Sequence, residues 1–276
     1  MASAPQPTLP LFYKDLMPLN SRDHAAWHAR ATDRAPWVTG QHAIPLTVDE
    51  FAQAHRHFPI VFSAGEKPVP LALLGLNEGI NVFFDDEGRA TEDFYVPAYI
   101  RRYPFLLAKL QPNTDQMSLC FDPTSDLVGE FSEGQILFNG DQPSEHTNNL
   151  LNFCEKFEEA GLRTQSFVEE LVKAELLMDG EVSIQRNDNP DRPFVYRGFQ
   201  MVNQQKLREL RGDQLRKWNE NGLLPLLFAH LFSLDLMRVI FARQSAQGKG
   251  PGAAGNALNA GSSGVEGVGF DPQTAG

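Results

Sequence analysis

A chain of 276 residues with 35 acidic and 24 basic side chains, a formal net charge of -11 and a pI near 5.1 lacks the broad basic face that a general nucleic-acid binder needs to displace counterions. Its 42% hydrophobic and 21% charged residues give the balance of an ordinary soluble globular protein, long enough for a sizeable core. Two cysteines, Cys120 and Cys154, exclude a disulfide framework and, in apolar surroundings, read as buried thiols.

Met1 to Pro10 is Pro-rich and has neither the basic start nor the apolar run of a secretory signal, so a disordered lead-in and a cytoplasmic address are expected. Leu11 to Leu19 reads as an edge strand or extended arm, and Asn20 or Ser21 could cap a helical turn through Trp27. Thr47 with Glu50 three residues on is a capping-box pattern, and Pro59 ends the short helix it starts. Three apolar runs follow, Ile60 to Phe62, Leu71 to Leu76 and Ile80 to Phe84. The turn signals between them are short, which predicts antiparallel neighbours.

Tyr95 to Phe105, reading YVPAYIRRYPF, is aromatic and basic. Pro97 suits a first helical turn, Val96, Tyr99, Ile100 and Tyr103 share one face, and Pro104 stops the helix after about two turns. On this reading Arg101 and Arg102 both point away from the apolar side. Met117 to Phe121 is expected to join the sheet begun at Ile60.

Farther on, Leu150 to Phe157 and a run from Ser166 with Glu169 predict two helices broken at Gly161, a helical subdomain near 144–178. Val182 to Gln185 and Phe194 to Val202 flank a turn-rich RNDNPDRP and predict a hairpin. Lys206 to Leu210 and Asp213 to Asn219 predict short helices. Leu223 to Ala242 is long and apolar enough to raise the question of a membrane span. His230, Asp235 and Arg238 inside it would be costly in lipid, so a buried core helix and no integral span are expected. Residues 244–276, rich in Gly, Ala, Ser and Asn, are expected to be disordered, leaving one domain over 11–243. Such a tail is also compatible with an uncleaved export signal, although the Gly-Asp nonapeptide is missing.

Several separated segments, in order, resemble the bacterial SapC family. They are LFYKDLMPLNSRDH from Leu11, the stretch from Phe58 to Leu107 that contains the YVPAYIRRYPF segment, YRGFQMVNQQKL from Tyr196, and LLPLLFAHLFSLDLMRVI from Leu223. The resemblance spans roughly Leu11 to Arg243. It implies a link to a surface-layer locus, with outer-membrane receptors and flavin-dependent halogenases as frequent gene neighbours, and it brings no catalytic residues with it.

Read residue by residue, the candidate chemistry is sparse. His24 and His28 would share a helical face, but His55 and His57 would diverge by about 200°, and no acidic partner stands at a matching spacing, so no metal site is expected. DDEG at Asp85 lacks the alternating ligands of a calcium loop and reads as a solvated turn. No G-x-S-x-G, P-loop or G-x-G-x-x-G occurs, and no cofactor is expected. The candidate binding residues are Tyr95, Tyr99, Arg101, Arg102 and Tyr103. They form either a docking patch for an anion or peptide, or tyrosines that pack the helix on the sheet with arginines paired to surface carboxylates.

The expected fold is therefore α+β, a mainly antiparallel sheet covered by helices, with a buried apolar C-terminal helix. Two functions fit: a non-catalytic interaction or accessory protein with a protein or peptide partner, serving a surface-layer or outer-membrane uptake system, or an enzyme or enzyme accessory acting on a peptide or amino acid.

Overall fold

The computed structural model describes residues 9–110, 116–185 and 193–250. The chain is α+β, with antiparallel sheets and several helices. The described residues form two compact units, one from 9–33 and 99–160, the other from 34–98 and 161–250.

In the first unit three antiparallel strands lie in the order Met17–Pro18, Met117–Phe121, Phe105–Lys109. Strand alternation turns Phe105, Leu107, Leu119 and Phe121 to one face, against Trp27, Leu137 and Cys154. It turns Leu106, Ala108 and Cys120 to the other, where Tyr13, with Phe12, Leu16 and Tyr103 beside it, covers them. The expected edge strand is thus present as Met17–Pro18. Met117–Phe121, however, belongs to this sheet and not to that of Ile60, because Phe105–Lys109 pairs with it along its whole length across a short connection that costs little closure entropy.

Ser21 to Trp27 is not helical. Asn20 Oδ1 accepts from the Asp23 N–H at 2.9 Å, and the chain then enters a two-residue strand, His28–Ala29, between Val128–Gly129 and Gln135–Ile136. His24 and His28 therefore do not share a helical face.

A five-stranded antiparallel sheet organises the second unit, in the order Leu177–Asp179, Phe199–Val202, Ile60–Ser63, Pro70–Leu73, Ala43–Pro45. Every residue of Ile60–Ser63 and Pro70–Leu73 is buried. Ile80 to Phe84 is not a strand. Asn81 Oδ1 takes the Phe83 and Phe84 N–H groups, its amide donates to the Val38 and Gln41 carbonyls, and these local bonds replace a ladder. The expected hairpin divides as well. Val182–Ile184 and Phe194–Tyr196 form a separate two-stranded ribbon, and only Phe199–Val202 enters the sheet.

The capping box forms as read. Glu50 Oε2 accepts from the Thr47 N–H at 2.9 Å and the Thr47 hydroxyl at 2.8 Å, opening a 3-10 turn, Val48–Glu50, that runs into the helix Phe51–Ala54. The helical region near 144–178 is one helix, Glu145–Lys173, passing through Gly161, since one glycine lowers helix propensity without ending it. Gln204–Arg208 and Gly212–Glu220 are the expected short helices.

The apolar C-terminal segment is two successive helices, Leu223–Ser233 and Leu236–Ala246. Its length and composition would suffice to cross a membrane, and a third of its most apolar window is buried. Leu227, His230, Met237 and Ile240 are buried, whereas Phe228 and Phe232 are exposed, so one face rather than the whole circumference is covered. The helix reaches past residue 244: Gln244 is fully buried, accepting from Leu76 N–H at 3.1 Å and donating to Asn77 Oδ1 at 2.6 Å. The rest of the expected disordered tail, from residue 251, lies outside the described residues, as do residues 1–8 and the RNDNPDR turn at 186–192.

His230 fixes this segment to the sheet. The register that pairs Gln200 with Phe62 would set Val202 opposite Ile60. There the imidazole stands in for the ladder bond: the Val202 N–H donates to Nε2 at 3.1 Å and Nδ1 lies 2.7 Å from the Ile60 carbonyl oxygen. Since Nε2 accepts, Nδ1 carries the proton and the ring is neutral. Ser233 completes the junction, its hydroxyl accepting from the Ile60 N–H at 2.8 Å.

Candidate functional site

The helix in the aromatic and basic segment is five residues, Ala98–Arg102, shorter than two turns. Successive side chains on a helix diverge by about 100°, so Arg101 and Arg102 take different directions. Arg101 is exposed, with its guanidinium 5.3 Å from the Phe153 ring centre. Arg102 is 7% exposed, which corrects the expectation that both arginines point outward. It lies three residues after Tyr99, on the same helical side, and its planar guanidinium fits a slot between rings.

The guanidinium carbon of Arg102 is 4.4 Å from the ring centre of Tyr99, 4.3 Å from that of Phe157 and 5.8 Å from that of Tyr13. Nη1 is 3.5 Å from Glu158 Oε1, while Nε is buried without a hydrogen-bond partner. Burial raises the Glu158 pKa despite the opposing charge of Arg102. A cation held against desolvated ring faces is stabilised by about 2 kcal/mol or more, so the cage acts as a structural fastener.

The tyrosines are fasteners too. Tyr99, 2% exposed, donates to the Leu11 carbonyl at 3.3 Å, and Tyr13 donates to the Phe105 carbonyl at 2.7 Å. Between these anchors Phe12 adopts φ 82°, a left-handed conformation that strains a bulky residue; its ring sits 5.6 Å from Tyr99 and 6.2 Å from Tyr103. Tyr103, half-buried, donates to Asp122 Oδ2 at 3.4 Å. Asp122, wholly buried, also accepts from the Lys14 N–H, the Thr124 N–H and the Thr124 hydroxyl. Tyr95 belongs to the second unit, where its hydroxyl donates to Glu50 Oε1 at 3.0 Å; the Ala98 N–H donates to the same oxygen at 2.6 Å. Of the five candidate residues, the structure thus gathers Tyr99 and Arg102 into one cage with Tyr13, and it leaves Arg101 on the surface.

Burial shifts the titration of several enclosed groups away from neutral pH. Burial pushes the Cys120 thiol up to about 11 and the Cys154 thiol up to about 12. Burial, with Asp122 adding to it, pushes Tyr103 up to about 12, and burial raises Tyr13 and Tyr99. His230 is lowered to about 4 by burial.

No group of three or more His, Cys, Asp or Glu side chains able to hold a metal occurs among the described residues. His24 is buried edge-on against Trp27 and Phe121, and His55 Nδ1 lies 3.0 Å from the Phe51 carbonyl. At DDEG the Asp85 carboxylate accepts from the Glu87 and Arg89 N–H groups, so that acid organises a turn.

Sequence reasoning missed Tyr13, Phe157, Glu158 and Asp122, whose partners stand far away in the chain. It had marked Glu50 and His230, one for its capping pattern and one for its apolar setting, without their tertiary roles.

With its antiparallel sheets and covering helices, this is an α+β protein whose aromatic and basic segment locks an N-terminal arm in place. A family model, SapC, matches residues 19–240, and the chain belongs to the SapC family. No curated protein and no solved structure matches it.

Proposed function

We propose that the chain is a non-catalytic interaction or accessory protein of a surface-layer or outer-membrane uptake system, acting on a protein or peptide partner from the cytoplasmic side. Family membership supports the setting. The observation that carries the binding role is the division of labour in the aromatic and basic segment: Arg102 is enclosed by Tyr99, Phe157 and Glu158, while Arg101 is an exposed residue beside Phe153. A guanidinium beside an aromatic face offers forked donors and rigid apolar area together, the chemistry that takes a carboxylate-bearing peptide.

The test compares the native protein with Arg101→Ala as bait against solubilised envelope and cytosol of the native host. Loss of a defined partner with an unchanged melting temperature supports the reading. An unchanged partner set, or a stoichiometric cofactor in the purified protein, overturns it.

A further inference from the structure

The outer face of the C-terminal helices has a regular pattern that the fold does not use. Pro225, Phe228, Phe232, Asp235, Val239 and Ala242 are all exposed and recur at spacings of three and four residues, the seam of a helix that packs against another helix. Phe232 is 67% exposed, Val239 is 42% exposed, and the Phe228 and Phe232 rings stack at 5.9 Å. Leu234 and Asp235 keep right-handed helical dihedrals, so the seam runs on through the junction of the two helices. The whole segment, Leu223–Ala246, is 24 residues long.

We propose that this seam is a homodimer interface, formed by two copies of the chain with these helices antiparallel about a two-fold axis near Asp235. The charges select this occupant. Asp235 lies at the middle of the exposed seam with Arg238 three residues on, and among the described residues neither has an ion-pair partner. An isologous interface must complement itself, and an antiparallel pairing that sets Phe232 opposite Val239 of a second copy brings each Asp235 within a helical turn of the other copy's Arg238. That register also sets the two Asp235 carboxylates beside each other near the axis, so each needs the other copy's Arg238 to offset the repulsion. A lipid surface would have to take an aspartate and an arginine into the middle of its apolar contact, which is costly. The seam is short for a permanent interface, so dimerisation in the micromolar range is expected.

Sedimentation velocity on the full chain across a dilution series tests this, with Phe232→Ser, Asp235→Arg, Arg238→Asp and the double reversal Asp235→Arg with Arg238→Asp. Because these side chains are exposed, melting temperatures should match the parent and serve as the folding control. The expected result is a reversible dimer that each single change weakens by about tenfold or more and that the double reversal restores. A monomer throughout, single reversals without effect, or a double reversal that fails to restore association overturns the proposal. So does a monomer that sediments with phosphatidylcholine vesicles and loses that binding in Phe232→Ser.

Discussion

Protonating His230 should break the junction between the C-terminal helices and the central sheet, and its contribution can be worked out. The ring accepts from Val202 and lies against the Ile60 carbonyl, so a proton on Nε2 would turn an acceptor into a donor facing an N–H. Its pKa is lowered to about 4 by burial, against about 6.5 in an unfolded chain. The unfolded state therefore binds the extra proton first as pH falls. Stability from this group is fully present above about pH 6.5, declines by ~1.4 kcal/mol per pH unit, and is lost as pH approaches the folded value of about 4, for a total of roughly 3 kcal/mol. His42, also lowered by burial, adds in the same direction, so the site must be isolated by difference. Urea unfolding of the native protein and of His230→Asn between about pH 3.5 and 7.5 would do so, a range that brackets the titration from the folded value of about 4 to the unfolded value of about 6.5. The variant should be less stable at neutral pH and should show the shallower pH slope. Parallel slopes for the two proteins would refute the neutral, doubly bonded imidazole.

Two further changes probe the other buried ionic groups. Arg102→Ala should lower stability by about 3 to 5 kcal/mol, since it empties a slot between Tyr99 and Phe157 and strands Glu158. Arg102→Met with Glu158→Gln should recover most of that loss, and denaturant melts decide whether it does. Glu50→Gln should cost about 2 to 3 kcal/mol, because its amide would present donors to a Thr47 N–H and hydroxyl that need an acceptor, whereas Oε1 could still serve Tyr95 and Ala98. A stability change below about 0.5 kcal/mol in the same assay would show that this carboxylate is not the junction described.

What the sequence makes legible is what is settled locally. Thr47 and Glu50 are three residues apart, and their box needs nothing from the rest of the chain. The pairing of Ile60–Ser63 with Pro70–Leu73 follows from a short turn between two apolar runs. By contrast, Ile80 to Phe84 has a strand's composition but loses its ladder to the side chain of Asn81 and to donors from the C-terminal helix, such as Gln247 Nε2 to the Val82 carbonyl at 3.0 Å. Arg102 departs from expectation for a different reason: its position three after Tyr99 places the two on one side of a helix, and its guanidinium lies between rings instead of facing water. Tyr13 and Phe157, the rings that make burial tolerable, come from distant parts of the chain that no local pattern connects to it.

The two neighbouring arginines therefore answer different questions and have to be changed one at a time. A double replacement by alanine removes the Arg102 cage along with the exposed Arg101, so lost binding would follow from a loosened N-terminal arm as readily as from a missing contact. Tyr99 ties Leu11, Tyr13 ties Phe105, and both rings border the Arg102 guanidinium, so its removal reaches the strained turn at Phe12. Arg101 is exposed, with its guanidinium beside the Phe153 ring. Binding lost in Arg101→Ala with folding intact belongs to the surface, whereas binding lost only with Arg102 belongs to the arm that the cage holds down.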